Sequence, residues 1–328
     1  MLDSILESLQ VISVPTRTNF RSVKYREVAL FEGANGWGEF SPFLEYAPGE
    51  CVPWLVSGIE AAFVTPPPIV RSEIEINATL PAVNDREEIA TILSWFSGCK
   101  TVKIKVGHEL RQDRARISTV REIMPEAKIR IDVNGSWTVS DAIRALHSIY
   151  ADGAIEYVEQ PCATIEELRA LKNSLDISVL IAGDEIVRKS ANPLEIDLSG
   201  AIDIIMLKVA PLGGIQRSLE IAKVHALPVV VSSALDSAVG ISRGIHLAAS
   251  LPHLDYACGL GTGELLSGDI GSLPISGGKI SVQTITPDMS AIRRYAVSVD
   301  RVDWWQARIR ETWKAGAADW VASEGWNW

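Results

Sequence analysis

The sequence predicts an α/β protein centred on a closed barrel of parallel strands. Between residues 76 and 258, eight short β-rich runs alternate with helical stretches. Polar residues end six of these runs, at Lys105, Asp132, Glu159, Asp184, Lys208 and Ser232. Their spacings are 27, 27, 25, 24 and 24 residues, about one βα unit each. No repeat of sequence accompanies the period, which excludes a solenoid. The alternative is an open doubly wound sheet, but the Gly-rich turn usual after its first strand is missing, so the barrel is preferred.

The elements follow in order. Residues 8 to 45 read as extended, with β-rich runs at 11–14 and 28–31 and turn-like glycines at Gly33, Gly36 and Gly38. Residues 48 to 64 read as a helix. Pro66-Pro67-Pro68 reads as a stiff linker near a domain boundary. The eight barrel runs are 76–80, 102–106, 129–133, 155–159, 179–184, 203–208, 229–232 and 254–258. The end of the chain holds Trp304, Trp305, Trp313, Trp320, Trp326 and Trp328, six of ten tryptophans. Such a tail must dock, since an exposed aromatic stripe of that size promotes aggregation.

Composition narrows the function classes. The 328 residues are 47% hydrophobic and 22% charged, which excludes wholesale disorder. A net charge of −10 with no basic tract argues against nucleic acid and anionic membranes as partners. No apolar run reaches the roughly 18 residues of a membrane span, and the N-terminus lacks the basic start of a signal peptide. The dispersed cysteines, Cys51, Cys99, Cys162 and Cys258, read as reduced thiols in a cytoplasmic protein.

The strand ends carry the chemistry. Side chains alternate along a strand, so Lys103 and Lys105 share one face, as do Arg130, Asp132 and Asn134. Their apolar neighbours pack on helices, which turns the charged set into the barrel. Asp132, Glu159 and Asp184 then converge from three consecutive strands. One such carboxylate alone would read as an ion pair with a nearby lysine or arginine. Three in register, all oxygen donors, point to Mg²⁺, with Mn²⁺ as a substitute. Lys105 and Lys208 flank the trio, and a lysine beside another cation has a lowered pKa suited to a general base. The set suits removal of a proton α to a carboxylate. No Ser-His-Asp set or nucleotide fingerprint competes. Gly259-Leu260-Gly261-Thr262-Gly263 follows the last strand and reads as an anion-binding turn.

These residues resemble the enolase superfamily, in its muconate-lactonising-enzyme-like group. The matching motifs are Lys103-Ile104-Lys105, Asp132-Val133-Asn134, Glu159-Gln160-Pro161, Gly183-Asp184-Glu185, the segment 208–215 and Gly36-Trp37-Gly38-Glu39. The resemblance implies a (β/α)7β modified TIM barrel with an α+β capping domain built from both termini. Residues 1–70 would form the N-terminal cap, 71–285 the barrel, and 286–328 a segment packed on both. The run 232–237 and Gly259-Leu260-Gly261-Thr262 further resemble the dehydratases of the group. The activity implied is Mg-dependent syn dehydration of 2-succinyl-6-hydroxy-2,4-cyclohexadiene-1-carboxylate to o-succinylbenzoate, in menaquinone biosynthesis.

The roles implied are as follows. Asp132, Glu159 and Asp184 hold the metal. Lys105 is base and then acid, and Lys208 stabilises the enediolate. Lys103, Ser232, Gly259 and Leu260 contact the substrate, while Asn134 and Arg130 stand behind the ligands. A loop at 15–22, with Arg17 and Arg21, covers the site, and Phe40 and Phe43 belong either to the cap core or to the site. The partner is a small anionic carboxylate, and the protein is a monomer or small homo-oligomer. The competing activity is N-succinylamino acid racemisation, alone or alongside dehydration. Dipeptide epimerisation is disfavoured because strand eight lacks an Asp-x-Asp. A catalytically inactive binding barrel is the remaining alternative.

Overall fold

The computed structural model describes residues 1–20 and 23–326, with the backbone alone at residue 20. Of the segment 15–22 expected as a covering loop, residues 15–20 are strand instead, while Arg21 and Ser22, like Trp328 of the tail, lie outside the described residues.

The extended N-terminal region is an antiparallel sheet of β1 (Gln10–Phe20), β2 (Val23–Gly33) and β3 (Gly36–Phe40). Gly33 pairs with Gly36 across a two-residue turn, and Gly36 takes φ +129°. Gly38 is not a turn residue. It lies inside β3, where a Cβ would stand 2.2 Å from the Gly58 carbonyl oxygen. The missing side chain lets the helix Pro48–Phe63 lie directly on the sheet.

Next come β4 (Glu73–Glu75), β5 (Ala78–Leu80), β6 (Thr101–Lys105), β7 (Lys128–Asp132), β8 (Tyr157–Glu159), β9 (Leu180–Gly183), β10 (Ile204–Leu207), β11 (Val229–Val231) and β12 (Lys279–Ser281). The strands β5 to β11 form one parallel sheet in sequence order, and β4 pairs with β12. Each of the seven falls within two residues of its expected run. The eighth run is reduced to bridges, Ile76 with Cys258 and Ser232 with Gly259. Cys258 N donates to Glu75 O at 2.7 Å and Gly259 N to Val231 O at 2.8 Å, which closes the barrel. The neighbouring Ala257 carbonyl accepts from the Arg130 side chain at 2.6 Å.

The alternation expected of β6 and β7 holds. Val102, Ile104, Ile129 and Ile131 are buried in the large core against the helices. Tyr157, Ala182, Ile204, Met206 and Val230 form a separate apolar cluster from the opposite strand faces. Arg130, fully buried, stacks over Tyr157 and pairs with Glu156 at 2.6 Å.

The tail docks as its composition demands. Trp305 in the helix Val299–Thr312 is fully buried, edge-on to Phe40 at 5.8 Å, and its indole donates to Glu27 at 2.8 Å. Trp320 lies beneath Arg217 of the helix Ile215–His225, at 4.7 Å, so the tail also touches the barrel.

A second seam joins cap to barrel. Glu39 accepts from Ser237 Oγ at 2.6 Å, Ser237 N at 3.2 Å and Gly240 N at 2.9 Å, all in the segment after β11. Burial, and then the neighbouring Asp236, push its carboxyl from 4.5 to about 7. Between those values the folded protein keeps a proton that the unfolded chain releases. The stability this adds is complete below pH 4.5 and is lost as pH rises through 7. The unfolding free energy of wild type minus that of Glu39→Gln, from urea titrations, should therefore fall between pH 5 and pH 8. A difference that stays level across the window would show that Glu39 keeps an ordinary carboxyl.

Candidate active site

The charged strand ends meet at one mouth of the barrel. Parallel pairing sets Lys105 opposite Asp132, and Asp132 opposite Glu159. Asp184 follows β9 and begins the short helix Glu185–Arg188. Lys208 follows β10 and precedes the short helix Val209–Leu212. Sequence spacing thus becomes lateral adjacency, because each βα unit returns the chain to the same end of the sheet.

All three carboxylates are buried, and each meets an ammonium group. Lys105 Nζ lies 2.5 Å from Asp132 Oδ2, and Lys103 Nζ lies 3.2 Å from the same oxygen and 2.8 Å from Glu159 Oε2. Lys208 Nζ lies 2.6 Å from Asp184 Oδ2, and Arg188 Nε lies 3.2 Å from Asp184 Oδ1. Among the described residues, no group of three or more His, Cys, Asp or Glu stands ready to hold a metal ion. Two carboxylate oxygens, Glu159 Oε1 and Asp184 Oδ1, are buried without a hydrogen-bond partner.

The electrostatics follow from these contacts. Burial opposes ionisation of Asp132, but Lys105 and Lys103 outweigh it and hold the carboxyl well below the usual range. For Asp184 burial is likewise overcome, by Lys208 and Arg188. Glu159 goes the other way, raised to about 7 by burial and then by Asp132. Burial lowers Lys105, the direction a general base requires. Lys103 does not reach out to water. Burial alone would lower its pKa, but Glu159 and Asp132 raise it, so it is held as a cation.

Asn134 takes φ +53°, donates to Glu185 Oε1 at 3.2 Å, and accepts from Lys105 Nζ at 2.8 Å. Its side chain thus bridges Lys105 and Glu185, while its backbone N donates to Asp132 Oδ1 at 3.2 Å. Arg130 faces Glu156, Asn77 and the Ala257 carbonyl, a network that braces the barrel wall. Ser232 Oγ donates to Gly259 O at 3.3 Å while lining the cavity. A Cβ on Gly259 would stand 2.6 Å from Ser232 Oγ, so a side chain there would turn the Ser232 hydroxyl away. Leu260 is fully buried in the core, and neither it nor Gly259 is among the residues that line the mouth. Arg17 lies 3.7 Å above the Trp95 ring and donates to the Glu264 carbonyl.

The mouth encloses about 30 Å³ lined by Lys103, Lys105, Asp132, Asn134 and Lys208 together with Phe43, Thr79, Ser233 and Leu235. A cavity of about 720 Å³, in the range of small-molecule sites, adjoins it and shares Lys105 and Asn134. Phe40 belongs to the cap core, whereas Phe43 reaches the mouth.

Three contributors escape a reading of strand ends. Thr79 lies on the polar face of β5, and the alternation of Asn77 and Thr79 signals it. Gln160, at φ +42°, accepts from Asp184 N at 3.0 Å and so fixes a candidate ligand. Arg26 crosses from β2 to donate to Leu235 O at 2.9 Å and to Ser41 O, bracing the loop after β11. No local pattern signals Arg26, because its partners are 209 and 15 residues away.

Comparison with known proteins agrees with this architecture. Residues 88–286 match the model described as enolase C-terminal domain-like, and residues 11–62 match enolase N-terminal domain-like. The chain is 46% identical over 314 residues to the o-succinylbenzoate synthase of Mycobacterium ulcerans, covering 94% of each. It is 46% identical over 313 residues to that of Mycolicibacterium smegmatis, covering 94% of this chain and 96% of the other. Muconate lactonizing enzyme from Pseudomonas putida shares the fold at a TM-score of 0.72 and 20% identity, over 88% of this chain and 98% of that one. The chain belongs to the enolase superfamily, in the muconate-lactonizing-enzyme-like group and the family of the mycobacterial o-succinylbenzoate synthases.

Proposed function

We propose that the protein is an o-succinylbenzoate synthase. On this reading it dehydrates 2-succinyl-6-hydroxy-2,4-cyclohexadiene-1-carboxylate in menaquinone biosynthesis. The observation that carries the reading is that Lys105 and Lys208, from strands separated by three others, line one small cavity together with Asp132. Glu159 Oε1, buried without a hydrogen-bond partner, and Asp184 Oδ1, which pairs with Arg188 Nε at 3.2 Å but accepts no hydrogen bond among the described residues, support a site for a hard dication. Asp132, Glu159 and Asp184 would hold Mg²⁺ or Mn²⁺. When bound, the ion supplies positive charge against the charge that develops on the substrate carboxylate.

The residues of the chain do the remaining work. Lys105 takes the α-proton through Nζ and returns it to the hydroxyl that leaves from the same face, so the elimination is syn. Asn134 Oδ1 holds that Nζ in line. Lys208 stays protonated, supplies charge to the enediolate oxygens, and stacks its ammonium on the substrate ring. Lys103, placed between Asp132 and Glu159, balances the carboxylates, a role beyond the substrate contact expected of it. Ser232 faces the succinyl carboxylate. Domain limits near 70 and 285 divide cap, barrel and tail. The four buried free thiols fit a cytoplasmic setting.

The placement of two lysines in one cavity also favours racemisation of N-succinyl amino acids as a second activity. Loss of the α-proton in D₂O would report it.

The decisive assay is turnover of the cyclohexadiene substrate by purified protein with Mg²⁺ and after exhaustive chelation. Turnover should vanish on chelation and return with Mg²⁺; chelator-insensitive turnover would refute the metal. Lys105→Ala should lower kcat by about a thousandfold or more while keeping Mg²⁺-dependent thermal stabilisation. Near-normal kcat would exclude Lys105 as the base. Asp184→Asn should abolish the Mg²⁺-induced rise in Tm, and a rise of wild-type size would remove Asp184 from the ligand set. Lys208→Arg keeps the charge but not the geometry and should cost most of the rate; full activity would make Lys208 a bystander.

A further inference from the structure

The cap helix Pro48–Phe63 ends with a buried carboxylate that no catalytic role uses. Glu60 is 2% exposed. Its oxygens accept from Ile215 N at 2.6 Å and Gln216 N at 2.9 Å, the first backbone donors of the barrel helix Ile215–His225. A helix start leaves such donors unpaired, and burying them unpaired is expensive. The cap therefore supplies what the barrel lacks at this point.

The clamped turn leads straight back to Lys208. Lys208 begins the short helix Val209–Leu212, and Gly214 N donates to Val209 O at 3.0 Å. Gly213 and Gly214 follow at φ +92° and +122°. A Cβ on Gly214 would stand 2.6 Å from the Glu60 carboxylate, so the glycine makes room for the clamp. Ser218 Oγ donates to Gly214 O at 2.7 Å and fixes the other side of the turn. Arg243, on the next barrel helix, supplies nearby positive charge. Every link from Glu60 to Lys208 is thus a hydrogen bond or a single short turn.

We infer that Glu60 is a positioning residue: its carboxylate, reaching from the cap, sets the turn after β10 and thereby holds Lys208 over the reacting carbon. The inference rests on the role proposed for Lys208. A displacement near 1 Å at a reacting group can cost about a hundredfold in rate. Ground-state binding depends less on that ammonium than on the metal site and the succinyl contacts. The loss should therefore appear in kcat and spare KM.

The test compares Glu60→Leu, Glu60→Gln and Gly214→Ala with Val56→Ala, a buried change on the same helix that removes no hydrogen bond to the turn. Glu60→Leu should lower kcat by about 10- to 100-fold, with KM and the Mg²⁺-induced Tm rise within about twofold of wild type. Glu60→Gln keeps one acceptor and should recover kcat to within about fivefold. Gly214→Ala pushes on the clamp from the other side and should reproduce the kcat loss, which serves if Glu60→Leu does not fold. Unchanged kcat in both Glu60→Leu and Gly214→Ala would overturn the inference. So would an equal loss in Val56→Ala, which would mark general destabilisation. A crystal structure of Glu60→Leu or Gly214→Ala settles the point without turnover: Lys208 Nζ should leave its 2.6 Å contact with Asp184, and an unmoved Nζ overturns the inference. Wild-type protein with no dehydratase activity would instead count against the proposed function, leaving the crystallographic readout to judge Glu60.

Discussion

Three carboxylates buried at one barrel mouth must be met by positive charge, and the rest of the molecule is arranged around that demand. An isolated buried carboxylate is too costly to keep ionised. Here Lys103, Lys105 and Lys208 meet the acids directly, and Arg188 adds a further cation beside Asp184. The pairing is uneven. Asp132 and Asp184 are held ionised, while Glu159 is pushed toward neutrality and keeps one oxygen without a partner. The charge balance therefore differs from one carboxylate to the next. On the proposed reading, these ion pairs and a bound metal would draw on one set of groups.

The cap acts as a brace as well as a cover. Arg26 and Glu39 reach from the N-terminal sheet to the loop after β11, and Glu60 reaches from the cap helix to the turn after β10. Those are the segments that follow Ser232 and Lys208. Buried polar groups of this kind are satisfied only when cap and barrel meet in one geometry, which makes the seam specific as well as stable. The tryptophan-bearing tail completes it, with Trp305 in the cap core and Trp320 against Gly213.

The parallel barrel, the six pairings that join its seven strands and the placement of Lys105, Asp132 and Glu159 side by side were legible in the chain. Alternation and spacing are local properties that parallel pairing converts into position. The readings that needed revision depend on distant partners. Gly38 looks like turn punctuation until Gly58 is seen against it. Lys103 is placed in the barrel by alternation, but that Asp132 and Glu159 enclose it shows only in the fold. The last strand looks like a full strand, but the fold reduces it to bridges, Ile76 with Cys258 and Ser232 with Gly259.

The chain alone determined which residue types stand at the strand ends and in what order, because a βα period and a two-residue alternation are written into neighbouring residues. Only the tertiary structure decided which ammonium meets which carboxylate, where the cap carboxylates land, and which oxygens stay without partners. Those outcomes depend on charges and donors brought together from opposite parts of the sequence. Their energies act over a few ångströms of space, with no regard to distance along the chain.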